Sequence, residues 1–135
     1  MERIKGHKVS EGKGEGEAIV HKGRFAFFGD INPSTGRFTK GHELEGKSLA
    51  DKVFIFTKDR GSSQSARAAY EAKQAGNAPA AMICLEVGPI GAAAAILANI
   101  PMVHRPDKNP FDIIETGDFV KVDANQCIVE VKKKA

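Results

Sequence analysis

The sequence predicts a β-rich α/β domain, a sheet or partly open barrel built around two crossover helices. Three observations predict it. Val53-Phe54-Ile55-Phe56 and Ala80-Ala81-Met82-Ile83-Cys84-Leu85 are continuous apolar runs flanking an alanine-rich segment, the strand–helix–strand order of a parallel crossover. Glycine-punctuated strand-like segments open the chain, and strict alternation closes it. A chain of 135 residues buries roughly two thirds of the surface its unfolded form exposes, enough for a single core, so residues 1–135 are read as one domain.

From the N-terminus, Ile4 to Val9 and Glu17 to His21 read as two strands joined by a turn at Gly12, Gly14 and Gly16, a hairpin or strand pair. Arg24 to Phe28 is too aromatic for a loop. Gly29-Asp30-Ile31-Asn32-Pro33-Ser34-Thr35-Gly36 is dense in turn residues and reads as an ordered surface loop. Val53–Phe56 is expected mid-sheet, because an apolar run without alternation suits a strand buried on both faces.

Ala66 to Ala75 combines alanines with long polar side chains, and Gly76-Asn77 stops it, which predicts a helix. After the second apolar run, Pro89 opens another helix over Ile90–Ala98, ending near Asn99 and leading to a short strand at Ile100–Val103. A polar connection with Pro106 and Pro110 precedes the closing hairpin, Asp118–Val122 and Cys127–Val131. The basic tail, residues 132–135, is expected to be disordered.

Composition excludes several functions. The net charge of +3 comes from 20 basic and 17 acidic residues, and Lys132, Lys133 and Lys134 supply the excess, so no basic face for nucleic acid is implied. The uncharged stretch Val87–Val103 is alanine-rich, interrupted by Pro89 and Pro101, and falls short of a membrane span. No membrane or nucleic-acid partner is expected. Met1-Glu2-Arg3-Ile4-Lys5 lacks a hydrophobic signal region, which predicts a cytoplasmic protein. Cys84 and Cys127 lie far apart with no Cys-x-x-Cys pair, and His7, His21, His42 and His104 form no metal motif. This chain is therefore expected to bind no metal, since an iron–sulfur or zinc site takes three or four such ligands.

The chemistry-bearing segment is Arg60-Gly61-Ser62-Ser63-Gln64-Ser65, at the carboxyl end of a buried parallel strand, where α/β sheets bind ligands. The following helix presents unpaired N–H groups and the positive end of its dipole there, a setting that favours an anion. One serine capping the helix explains part of the segment. Three hydroxyls, an arginine and a glycine exceed what a cap requires, and no capping-box Glu or Gln follows Ser62 or Ser63, so the surplus tilts toward a site. No Gly-x-Ser-x-Gly is present, which disfavours hydrolysis. His104, at a predicted strand end, is within reach of the same crevice.

Several motifs together carry a resemblance: Phe28-Gly29-Asp30-Ile31-Asn32-Pro33-Ser34-Thr35-Gly36-Arg37, His42-Glu43-Leu44-Glu45-Gly46-Lys47-Ser48, Arg60-Gly61-Ser62-Ser63, Gly76-Asn77-Ala78-Pro79-Ala80-Ala81 and Ile100-Pro101-Met102-Val103. In this order they are similar to the small swivel-domain subunits of the aconitase X family. The resemblance implies a swivelling β/β/α domain like the C-terminal domain of aconitase. It also implies a hydro-lyase active only as a heterodimer with an aconitase-like large subunit, whose own cysteines bind the iron–sulfur cluster that acts as Lewis acid. The implied reaction dehydrates (R)-5-phosphomevalonate to trans-anhydromevalonate 5-phosphate, a step toward isoprenoids, with Ser62 as base and Arg60, Gly61 and Ser63 as weaker candidates for substrate binding. The family favours glycine where Asp30 and Asp59 stand and an acidic residue near Gly88, which bears on the substrate more than on the reaction class. The competing expectations are a non-catalytic anion-binding or regulatory subunit, a dehydratase subunit for another hydroxy acid, and a phosphoryl carrier, the last disfavoured because the serine loop has no histidine.

Overall fold

The structure is a computed structural model that describes residues 1–135. The chain begins with β1 (Glu2–Lys5) and β2 (His7–Ser10), separated only by Gly6, and continues into β3 (Lys13–Val20). The excursion 21–52 then carries β4 (Arg24–Phe25), the single turn α1 (Phe27–Asp30), β5 (Ile31–Asn32) and β6 (Arg37–Phe38) over one face of the sheet. Next come β7 (Val53–Phe56), β8 (Lys58–Asp59), α2 (Ser65–Gln74), β9 (Ala81–Cys84), α3 (Pro89–Leu97) and β10 (Met102–His104). The turn α4 (Pro110–Ile113), capped by the Asn109 side chain, and the hairpin β11 (Phe119–Asp123) and β12 (Ile128–Lys132) complete the chain.

Eight strands form one mixed sheet in the order β1-β12-β11-β3-β7-β9-β10-β2. Strands β3, β7, β9 and β10 run parallel, and α2 and α3 make the two crossovers. The sheet begins with β1 and ends with β2, yet these strands are consecutive in the chain, so its two edges are drawn together and the sheet wraps into a barrel. Gly6 sits at that seam, its N–H donating to the Cys127 carbonyl at 3.0 Å.

Alternation along the strands divides the core in two. Val53, Ile55, Ala81, Ile83 and Val103 point into the barrel with Ile4, Val120, Val122, Val129 and Val131. Phe54, Phe56, Met82, Cys84 and Met102 point out, against the alanines of α2 and α3 and the excursion. The apolar runs lack alternation because both faces are covered. Phe25 is wedged between Phe54 and Phe27, with ring centroids at 4.8 and 5.0 Å, which pins the start of the excursion to the sheet.

The N-terminal hairpin expected from the sequence does not form. β1 and β2 pair with β12 and β10, while β3 pairs with β11 and β7. Only Gly12, at φ +122°, makes a turn. Gly14 and Gly16 lie within β3, where a Cβ would collide with the carbonyl oxygens of Ala80 and Asp51. Glycine there marks close backbone approach, not a turn. The 29–36 segment is also more than a surface loop: Asp30 and Ile31 are buried, and β5 pairs with β6 around the turn. The basic tail is anchored, because Lys132 ends β12 and Asp118 accepts hydrogen bonds from the Lys133 ammonium and the Lys134 N–H. No helix is long and apolar enough to cross a membrane.

Candidate functional site

All four parallel strands deliver their carboxyl ends to one rim of the barrel. There β7 leads through β8 into the serine loop, β9 leads into the turn before α3, and β10 ends at His104. Ser62 is half-buried, and Gly61 and Ser63 are exposed, so the loop is open to an incoming molecule. The Ser62 hydroxyl oxygen accepts the Gln64 N–H at 3.3 Å, and the Ser62 carbonyl accepts the Ser65 N–H at 3.1 Å. Ser62 thus closes a turn just before α2, whose capping residue is Gln64, and holds its oxygen near the positive end of that helix. The N–H groups of Gly61, Ser62 and Ser63 have no acceptor within the chain.

Arg60 reaches the same rim. Its N–H donates to the Phe25 carbonyl at 2.9 Å, and its Nη2 donates to Asp30 Oδ1 at 2.9 Å. Ser63 has no side-chain hydrogen bond, and Gly61 lies beneath Ile90, whose Cδ1 would stand 3.6 Å from a Cβ added there. Phe28 and Ile90, 53% and 37% exposed, are apolar side chains at the rim. A groove of about 290 Å³, lined by Phe28, Gly29, Gln64, Arg67 and Glu71 among others, runs alongside.

The second helix N-terminus at this rim is already filled. Asp59 Oδ1 accepts the Gly88 N–H at 2.6 Å and Oδ2 accepts the Gly91 N–H at 2.9 Å, so the carboxylate sits on the end of α3. A free anion is left with the serine loop and Arg60. His104, also at the rim, accepts the Val87 N–H on Nδ1 at 3.2 Å and so ties down the turn before α3. Burial lowers its pKa, and Arg105 lowers it further. His42 packs on Phe38 and His21, with ring centroids at 4.6 and 4.8 Å. Its pKa is lowered by burial, with Asp30 opposing the shift.

Sequence reasoning missed Asp30 and Asp59 as parts of the site. The signal was present, since both stand where the resemblance favours glycine, while Gly88 stands where it favours an acid. Asp59 supplies from β8 the capping carboxylate that position 88 lacks.

Cys84 is poorly suited to ligate an iron–sulfur cluster. The Cys84 thiol donates to the Thr57 carbonyl at 3.3 Å, and burial pushes its pKa up to about 12, far from the thiolate a cluster requires. No three His, Cys, Asp or Glu side chains converge on a common point.

Comparison with known proteins places this geometry. Residues 3–131 match the family described as the aconitase X swivel domain. The chain is 41% identical over 130 residues to the phosphomevalonate dehydratase small subunit of Methanocella arvoryzae, covering 96% of this chain and 98% of that one. It is 36% identical over 132 residues to the protein of the same name from Methanosarcina acetivorans, covering 97% and 92%. Among solved structures, the crystal structure of Thermococcus kodakaraensis aconitase X in its holo-form aligns with a TM-score of 0.91 at 35% identity, over 98% of this chain and 100% of that one. The barrel with its two crossover helices is thus a swivel domain, and the chain belongs to the aconitase X swivel-domain family.

Proposed function

We propose that this chain is the small subunit of a cytoplasmic hydro-lyase that removes water from (R)-5-phosphomevalonate to give trans-anhydromevalonate 5-phosphate, and that it acts only with a large subunit. The names of relatives aligned over nearly the whole of both chains support the reaction. The observation that carries the reading is the Ser62 oxygen, half-open to solvent at the start of α2, bonded to one N–H and bordered by others that are free.

Dehydration of a 3-hydroxy acid needs a base for the C2 proton and an acid for the departing hydroxyl. Ser62 is the base: its oxygen takes the C2 proton, the C–H electron pair becomes the C2=C3 double bond, and the C3–O bond breaks with its electron pair on the departing hydroxyl, which takes a proton from an acid of the large subunit and leaves as water. A serine hydroxyl ionises far above neutral pH. Its anion must therefore be stabilised by the Gln64 N–H and the N-terminus of α2 in a site closed to water. Arg60 and the N–H groups of Gly61 and Ser63 bind the substrate's anionic groups. The large subunit seats against the rim bearing Phe28 and Ile90 and closes it. An iron–sulfur cluster held by that subunit would supply Lewis acidity at the departing hydroxyl.

A specific observation also favours a second reading. The Ser62–Gln64 bond gives the Ser62 hydroxyl a purely structural role in the turn before α2, so the loop would serve a non-catalytic subunit that only holds an anion. Ser62→Ala in the reconstituted two-subunit enzyme separates the two. The base assignment predicts intact assembly with turnover down by about 10²–10⁴-fold, and unchanged turnover favours the anion-holding subunit.

A further inference from the structure

Arg60 is held at both ends, backbone and guanidinium, by one short segment. Its backbone N–H is bonded to Phe25, and its head group to Asp30 Oδ1, both at 2.9 Å. Asp30 is 6% exposed, and its Oδ2 accepts the Ala26 N–H at 3.0 Å, so the carboxylate cannot rotate without losing a bond. The Asp30 carbonyl accepts the Thr39 N–H at 2.9 Å and the Gly29 carbonyl accepts the Thr39 hydroxyl at 2.7 Å. Phe25 and Phe27 fasten the segment to the core. The carboxylate partners of Arg3, Arg67 and Arg105, by contrast, are partly or well exposed, Glu130, Glu71 and Glu86 at 33%, 53% and 49%.

We propose that Asp30 is a positioning residue that holds the Arg60 guanidinium at the serine loop, so that its remaining N–H groups receive the phosphate or carboxylate of the substrate. This rests on the dehydratase reading above. A carboxylate beside an anion site subtracts positive charge, so its contribution is orientation, not attraction. The flexible arginine is ordered when the chain folds, and that ordering no longer opposes binding. One guanidinium N–H goes to Asp30, and a guanidinium has five, which leaves enough for a bidentate contact with a ligand oxygen pair.

The test uses Asp30→Asn, nearly isosteric and able to keep the Ala26 bond, and Asp30→Glu, which keeps the charge but displaces it. Inorganic phosphate is titrated into the full chain, and steady-state kinetics are measured in the reconstituted enzyme. The proposal predicts that Asp30→Asn weakens phosphate binding and raises KM about tenfold with kcat within about twofold, and that Asp30→Glu falls between it and the parent. His42 reports on the same carboxylate. Burial lowers its pKa, Asp30 raises it, His21 lowers it, Glu43 raises it and Arg60 lowers it. Asp30→Asn should therefore drive the His42 midpoint lower still, read by NMR. Phosphate binding that is unchanged or tighter in Asp30→Asn, with the His42 shift present, overturns the proposal. An inactive parent enzyme overturns the dehydratase reading alone, because phosphate binding by the chain still decides the role of Asp30.

Discussion

Asp59 caps a helix to which it does not belong: its carboxylate, on β8, accepts the N–H of Gly88 at 2.6 Å at the head of α3, while Oδ2 takes the Gly91 N–H at 2.9 Å. Such a bond satisfies donors that the helix cannot, and adds a charge–dipole attraction. Asp59→Ala should cost about 1–2 kcal/mol of stability. Gly88 already has the extended backbone of a capping residue, at φ −89° and ψ 178°, so Asp59→Gly combined with Gly88→Asp should recover most of that loss. Denaturant midpoints of the single and double variants check this; a double variant no more stable than Asp59→Gly contradicts it.

Stability should fall in two steps on acidification. Burial lowers the pKa of His42, against Asp30, and burial followed by Arg105 lowers that of His104. The unfolded chain therefore takes up these protons more readily than the folded one. Their contribution is whole above the ordinary histidine value of about 6.5 and is lost as pH falls from there toward the lowered folded values. Asp118 follows at lower pH. Burial opposes its ionisation, but Lys133 and the N–H groups of Glu115 and Lys134 outweigh that and hold its carboxyl below the usual range. Its contribution is present above about pH 4 and disappears below. Melting temperature followed from pH 8 to 3 should fall first below about 6.5 and again below about 4, with Asp118→Asn removing the second step. A melting temperature that rises between pH 7 and 5 contradicts this.

Ser65, three positions after Ser62, provides the contrast within the same loop. It is 2% exposed, and its hydroxyl oxygen has no hydrogen-bond partner. A buried hydroxyl without a partner carries an unrepaid desolvation cost, so Ser65→Ala should stabilise the chain by about 1 kcal/mol. Turnover of the reconstituted enzyme should be unchanged. A destabilised Ser65→Ala would mean that the hydroxyl is satisfied in solution.

Much of this fold was legible in the sequence for a physical reason. The apolar runs at β7 and β9, the alanine-rich helices and the alternating C-terminal hairpin are local patterns whose partners lie nearby. The β1–β2 seam was not legible, because its partners, β12 and β10, lie roughly a hundred residues away, and no local pattern records a pairing at that distance. The glycines of β3 misled for the same reason: their cause is the approach of the 51 and 80 backbones. At the site, Ser62 stood out through the hydroxyl-rich strand-to-helix junction. Asp30 and Asp59 stood out only as departures from the family's glycines, and only folding brings them to Arg60 and to α3.

The central claim is that the oxygen of Ser62 accepts a proton from carbon. The most direct measurement is exchange of the substrate's C2 hydrogen for solvent deuterium in the assembled two-subunit enzyme, parent against Ser62→Ala, with assembly verified by co-elution. The account predicts exchange in the parent and loss of about 10²–10⁴-fold in the variant. Exchange at the parent rate in a fully assembled Ser62→Ala enzyme would contradict it.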